Sequence, residues 1–142
     1  MKMILLSEKF YEKYGNCPEI MKKESRPYAC FTVRIDDILF AIPIRHHIRH
    51  PYAFMTIEDR GLDYTKAIII EDQAYISPNP AIIDTVEWNI IKKNENEIFY
   101  NFRKYYRQYR RALKHPDNPR SEKILKYSTL QYFEGRRFHG KS

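Results

Sequence analysis

The stretch YACFTVRIDDILFAIPI, residues 28–44, decides the fold. Within residues 28–35, Ala29, Phe31, Val33 and Ile35 alternate with Tyr28, Cys30, Thr32 and Arg34. A period of two puts the apolar set on one face of a strand and the polar set on the other. Asp36-Asp37 makes a turn, and residues 38–44 return as a second strand. Pro43 has no N–H to give a ladder, which places it at a strand end or on an edge.

Outward from this hairpin, residues 3–6 read as a short strand. Ser7 is the N-cap of a short helix that carries Phe10, Tyr11 and Tyr14 and that Gly15 ends. Residues 16–25 are polar, contain Pro18, and read as loop. On the other side, residues 52–57 and 66–71 are expected strands, residues 74–76 a short one, and Asp59-Arg60-Gly61 a turn. Asn79-Pro80, an N-cap followed by a proline at the first helical position, is expected to open the helical half. Ile83, Val86 and Ile90 would share a face of that helix, and the polar run 92–97 would break or bend it. A second helix over 97–114 has Phe99, Phe102, Tyr106, Tyr109 and Leu113 as its core stripe. Arg103, Arg107, Arg110, Arg111 and Lys114 lie on a neighbouring face. His115-Pro116 ends this helix. A last helix starts at 119–121, with Ser121 as N-cap and residues 122–133 as body, and residues 135–142 are a frayed tail. Strands first and helices second argue for α+β: a compact, twisted antiparallel sheet with helices packed on one side, as a single domain over residues 1–142.

The charge is distributed as a block. Residues 1–98 carry 13 basic and 15 acidic side chains, whereas residues 99–142 carry 12 and 3. Basic residues interleaved with tyrosine and phenylalanine favour a polyanionic partner, nucleic acid ahead of an anionic membrane. Two cysteines, Cys17 and Cys30, are too few for a disulfide framework or a four-cysteine metal site. No apolar run is long enough to span a bilayer, and residues 1–6 are too short for a signal peptide. A cytoplasmic protein that does not engage membrane is expected.

The chemistry is concentrated in Arg45-His46-His47-Ile48-Arg49-His50, which joins two apolar strands. Histidine both takes and gives a proton near neutral pH, and arginine presents a fork that matches phosphate oxygens. The combination suits cleavage of an RNA phosphodiester: one group takes the 2′-hydroxyl proton, a cation steadies the phosphate, and another group protonates the leaving 5′-oxygen. The nucleophile belongs to the substrate, so no metal or other cofactor is required. The same loop also reads as a solvated turn, as a metal site of His46, His47 and His50, or as a phosphate-binding loop without catalysis. No HExxH, Gly-rich phosphate loop, GxSxG or dinucleotide fingerprint is present. Tyr28, Thr32 and Arg34 share the hairpin's polar face, Lys66 stands at the start of an apolar strand, and the arginine face of the long helix could follow a nucleic-acid backbone.

With these residues in view, the chain resembles the TenpIN-type toxins of the ToxN/AbiQ-like group of type III toxin–antitoxin endoribonucleases. The resemblance rests on Arg26-Pro27-Tyr28 entering the hairpin, Phe40-Ala41-Ile42-Pro43-Ile44 leading into the basic loop, and His50-Pro51-Tyr52-Ala53-Phe54. Gly61-Leu62-Asp63-Tyr64-Thr65-Lys66-Ala67 and the long basic helix add to it, and it spans roughly residues 1–134. It implies a small-barrel sheet of the MazF type and metal-independent cleavage of single-stranded RNA to a 2′,3′-cyclic phosphate. It also implies a repeat-derived pseudoknot RNA antitoxin, bound in a closed protein–RNA hetero-oligomer. The chain departs from the ToxN branch where that branch has small hydroxyl residues and a lysine; here the loop is Arg45-His46-His47-Ile48. The expected catalytic set is therefore Arg45 on the phosphate, His46 or His47 on protons, and Tyr28 beside them. The expected RNA-binding set is Arg26, Arg34, Arg49, His50, Lys66, Arg103, Arg107 and Arg110. A non-catalytic RNA-binding module using the same basic face is the alternative.

Overall fold

The structure is a computed structural model that describes residues 1–21 and 28–133. Arg26 and the expected tail lie outside the described residues. Six strands form one antiparallel sheet: β1 (Met3–Leu5), β2 (Ala29–Ile35), β3 (Ile38–Arg45), β4 (Ala53–Met55), β5 (Gly61–Asp63) and β6 (Ile68–Ile69). The order is β1-β2-β3-β5-β4, with β6 also pairing with β3. Four helices accompany them: α1 (Glu8–Tyr14), α2 (Thr85–Lys93), α3 (Glu95–Lys114) and α4 (Pro119–Tyr127). The chain is thus α+β, but the described sheet is open and not closed into a barrel.

The hairpin forms where alternation and turn chemistry place it. Ile35 pairs with Ile38 across Asp36 and Asp37, both at positive φ. A two-residue loop with both φ values positive matches the right-handed twist of the strands, and aspartate tolerates that region better than most residues. The faces differ from expectation: Cys30 and Thr32 are as buried as Phe31 and Val33. Phe40, across from Val33, meets Phe102 and Tyr106 of α3, with ring centroids 5.0 and 4.9 Å apart. Cys30 lies on the opposite face, where Tyr11 of α1 packs near it. Helices therefore pack on both faces, because Cys30 and Thr32 are small enough to be covered, while Arg34 at the far end stays exposed. Burying a phenylalanine contributes roughly 1.5–3 kcal/mol, so the aromatic layer under α3 anchors that helix firmly.

Other expected boundaries shift for local reasons. Gly15 ends α1 without a left-handed φ; a side chain there would strike the Tyr11 carbonyl. The helix expected at Asn79-Pro80 begins at Thr85, because the Asp84 carboxylate accepts from the backbone N–H groups of Val86 and Glu87. Its buried residues are Glu87 and Ile91, while Ile83 precedes it and Val86 is exposed. The polar run breaks the helix at Asn94, whose side-chain amide donates to the Ile90 carbonyl. Asn118, not Ser121, caps α4, with Pro119 at its first position. α4 stops at Tyr127, and Thr129–Phe133 continues as a 3-10 turn. Among the described residues no helix is long and apolar enough to cross a membrane.

A candidate anion site around Asp63

Asp63 organises the site. It ends β5, the strand between β3 and β4 that sequence periodicity did not single out. Gly61 lets β5 in: a Cβ there would meet the Phe54 carbonyl of β4. The Asp63 side chain has 0% exposure. Its Oδ1 accepts from the backbone N–H of Thr65 at 3.0 Å and from the Thr65 hydroxyl at 2.6 Å. Arg45 Nη1 donates to Oδ2 at 2.8 Å. His50 Nε2 lies 3.1 Å from Oδ1 and 3.2 Å from Oδ2. Burial by itself would raise this carboxyl. Hydrogen bonds from His50, Thr65 and Arg45 outweigh burial and hold it below the usual carboxylate range.

The His50 ring is held at both ends. Nδ1 accepts the backbone N–H of Tyr52 at 3.1 Å, so the hydrogen-bond network assigns the ring proton to Nε2, facing Asp63. Neither nitrogen is open to a substrate proton in this arrangement.

Above this buried carboxylate opens a cleft of about 500 Å³. Arg45, Lys66 and Lys123 bring cations to it, and Tyr52, Tyr105 and Tyr127 supply aromatic walls. Among the described residues, no aspartate or glutamate lines it. Lys66 Nζ is also held by Glu19 at 2.9 Å, and the Glu19 backbone N–H donates to the Tyr132 hydroxyl at 3.1 Å. The Thr129 hydroxyl donates to the carbonyls of Thr65 and Ala67, which docks the 3-10 turn that follows α4 beside Thr65 of the cleft lining. Burial pushes the Tyr105 phenol up, although the Ser128 hydroxyl beside it works the other way, so the phenol keeps its proton at neutral pH.

The loop of imidazoles and guanidiniums is divided. His47 has φ 58°, a left-handed turn that costs about 1–2 kcal/mol without glycine. Its Nδ1 lies 2.9 Å from Asp59 Oδ2, and Arg49 lies 3.7 Å from the same oxygen. His46 is exposed beside His47, with ring centroids 6.3 Å apart. Arg45, His50 and Lys66 thus share the cleft, whereas His46, His47 and Arg49 stand outside its lining. The expected proton carriers are therefore not on the wall that holds Arg45. His46, His47 and His50 do not converge, and among the described residues no three His, Cys, Asp or Glu side chains gather as a metal site requires.

The remaining candidates spread over the molecule. Tyr28 lines a small cavity with Tyr11 and Lys66 and is not among the residues lining the cleft. Arg34 pairs with Leu39, six residues from Arg45 along β3, which sets it roughly 20 Å away. Arg110 sits 5.7 Å over the Tyr106 ring, and neither it nor Arg103 nor Arg107 lines the cleft. Sequence reasoning missed Asp63, Lys123 and Tyr127. The last two are four apart on one helix, a spacing that puts a cation and an aromatic ring on one face. No family model, curated protein or solved structure matches the chain.

Proposed function

We propose that the cleft binds a phosphodiester of single-stranded RNA and that the chain is an endoribonuclease toxin of a type III toxin–antitoxin pair. The observation that carries the reading is the convergence of Arg45, Lys66 and Lys123 on one cleft with tyrosine walls and, among the described residues, no carboxylate in its lining. Arg45 presents its remaining donors to the phosphate while Asp63 fixes its guanidinium plane. The substrate's 2′-oxygen attacks phosphorus and its proton leaves to cleft water. The P–O5′ bond breaks, and the Lys66 ammonium protonates the 5′-oxygen. The products are a 2′,3′-cyclic phosphate and a 5′-hydroxyl. Arg45 and Lys66 take the chemical roles, and His50 takes a positioning role in place of His46 and His47. The family, the likeness to MazF-type sheets, the pseudoknot RNA antitoxin, the closed hetero-oligomer and cytoplasmic action rest on the sequence resemblance. α3 joins the RNA path through the side of the helix that bears Lys104 and Arg111.

The test is incubation of the purified chain with an oligoribonucleotide in chelator. A 2′,3′-cyclic end, absent when the 2′-hydroxyl at the cut is methylated, supports the reading; intact RNA rejects it. A second reading, an RNA-binding module without catalysis, is favoured by one observation: both ring nitrogens of His50 are engaged. Tight binding without cleavage, and no growth arrest on expression, selects that reading.

A further inference from the structure

Two further clefts open beside the first. One, of about 510 Å³, shares Tyr52, Lys123 and Ile124 with it and adds Arg111 and Arg120. The other, of about 300 Å³, shares Pro51, Tyr52 and Tyr105 and adds Lys104. Tyr52 is common to all three. Among the described residues, they together present six lysine and arginine side chains and no aspartate or glutamate in their lining.

Tyr52 is exposed (41%) yet fixed. Its backbone N–H donates to His50 Nδ1, and its carbonyl accepts from the backbone N–H of Tyr64 at 3.0 Å. Its ring leans on the buried Tyr105 ring at 5.7 Å, with the planes 61° apart. An aromatic side chain with a pinned backbone and open area, at the junction of cationic clefts, has the form of a stacking platform. Stacking needs a base that is not already stacked in a helix, which favours a single strand over a duplex. The cations line concave walls, so a flat membrane surface would not reach them.

We infer that Tyr52 stacks a base of single-stranded RNA while the flanking phosphates run into the Arg45–Lys66 cleft on one side and the Arg111–Arg120 cleft on the other. This rests on the reading of the first cleft as a phosphodiester site and extends it to a multi-nucleotide path across α3 and α4. Tyr52 acts as a binding and positioning residue.

The probe is a 2′-O-methyl octanucleotide, which cannot be cut, so binding is read apart from cleavage. Tyr52→Leu should weaken its binding about tenfold, the size of one lost base–aromatic stack, while Tyr52→Phe should stay within twofold. The combined Arg111→Ser and Arg120→Ser variant should flatten the slope of log affinity against log salt by about 1.4, since each lost phosphate contact on a single strand removes about 0.7. The Tyr52 variants should leave that slope unchanged. A duplex of equal length should bind more weakly and be insensitive to Tyr52→Leu. Wild-type affinity in folded Tyr52→Leu overturns the stacking role, and an unchanged slope in the arginine variant overturns the path. Should Tyr52→Leu fail to fold, the exposed arginine pair still decides the path, and Tyr52→Phe, Tyr52→Trp and Tyr52→His still decide the ring: graded binding supports it and uniform binding rejects it. If the unmodified chain does not bind the probe, the phosphodiester reading falls too. If binding behaves as stated but RNA is not cut, only the catalytic reading falls.

Discussion

The two carboxylates that anchor the basic loop make an instructive pair. Asp59 and Asp63 are four residues apart, and each meets one histidine and one arginine of the same six-residue segment. Asp59 keeps 32% of its side-chain surface in water, whereas Asp63 keeps none. Hydrogen bonds from His47, with the charges of His47 and Arg49, lower the Asp59 carboxyl against a desolvation that works the other way. Water screens that contact and can replace either partner. The Asp63 side chain is closed off from solvent, so Arg45, His50 and Thr65 must hold their places or leave a buried charge without partners. Identical residue types thus produce a replaceable surface cluster on one side and a fixed frame for the cleft on the other.

The largest expected effect is on the buried side. Asp63→Ala should cost about 3 kcal/mol of unfolding free energy, since it strips the shared partner from Arg45, His50 and Thr65. Urea denaturation measures this. Asp59→Ala, run beside it, should leave the urea midpoint unresolved from the parent. Equal shifts would erase the contrast.

Next comes cleavage. Arg45→Lys keeps a cation against Asp63 but loses the fork, and kcat should fall about 100-fold, the scale of losing one donor to the developing charge. His46→Ala and His47→Ala should stay within a few-fold of the parent. A 100-fold loss in either histidine variant would return the proton chemistry to the exposed side of the loop.

The pH dependence is smaller and sharpens the same contrast. Folded Asp63 holds its proton more weakly than the unfolded chain does, so the unfolded state binds more protons where the two differ. The stability it contributes is complete above about pH 4, the ordinary aspartate value, and fades as pH falls through the lower folded value. Thermal unfolding between pH 5 and pH 2 should be less pH-dependent in Asp63→Asn than in the parent. An unchanged profile would mean that the buried carboxylate is not the group being titrated.

The smallest effect concerns Lys66. Glu19→Gln frees its ammonium from a carboxylate at 2.9 Å, and RNA binding should tighten about twofold to threefold. Weaker binding would show that Glu19 positions Lys66 instead of competing with phosphate.

Local pattern made some of this legible. The hairpin and its Asp36-Asp37 turn are short-range features and appear where alternation and turn residues put them, although both faces of the strand are buried. On α3 Phe102, Tyr106 and Tyr109 are buried as the stripe predicts, while Ile98, Tyr105 and Ala112 are buried in place of Phe99 and Leu113. The stretch Gly61-Leu62-Asp63 was hidden as a strand because three residues are too few to show a period. Both sides of the divided loop have the same composition, so no reading of residue types could separate His47 from His50.

The amino-acid sequence by itself determined an α+β chain, a central hairpin and a basic second half, because alternation, turn residues and charge act between near neighbours. Tertiary structure alone decided which members of the basic loop face a common cleft. That choice depends on Asp63 lying beneath Arg45, on Lys66 reaching Glu19, and on α4 bringing Lys123 across the opening. These contacts join residues 18 or more positions apart, and the burial that gives them their strength exists only once the sheet and helices have closed over them.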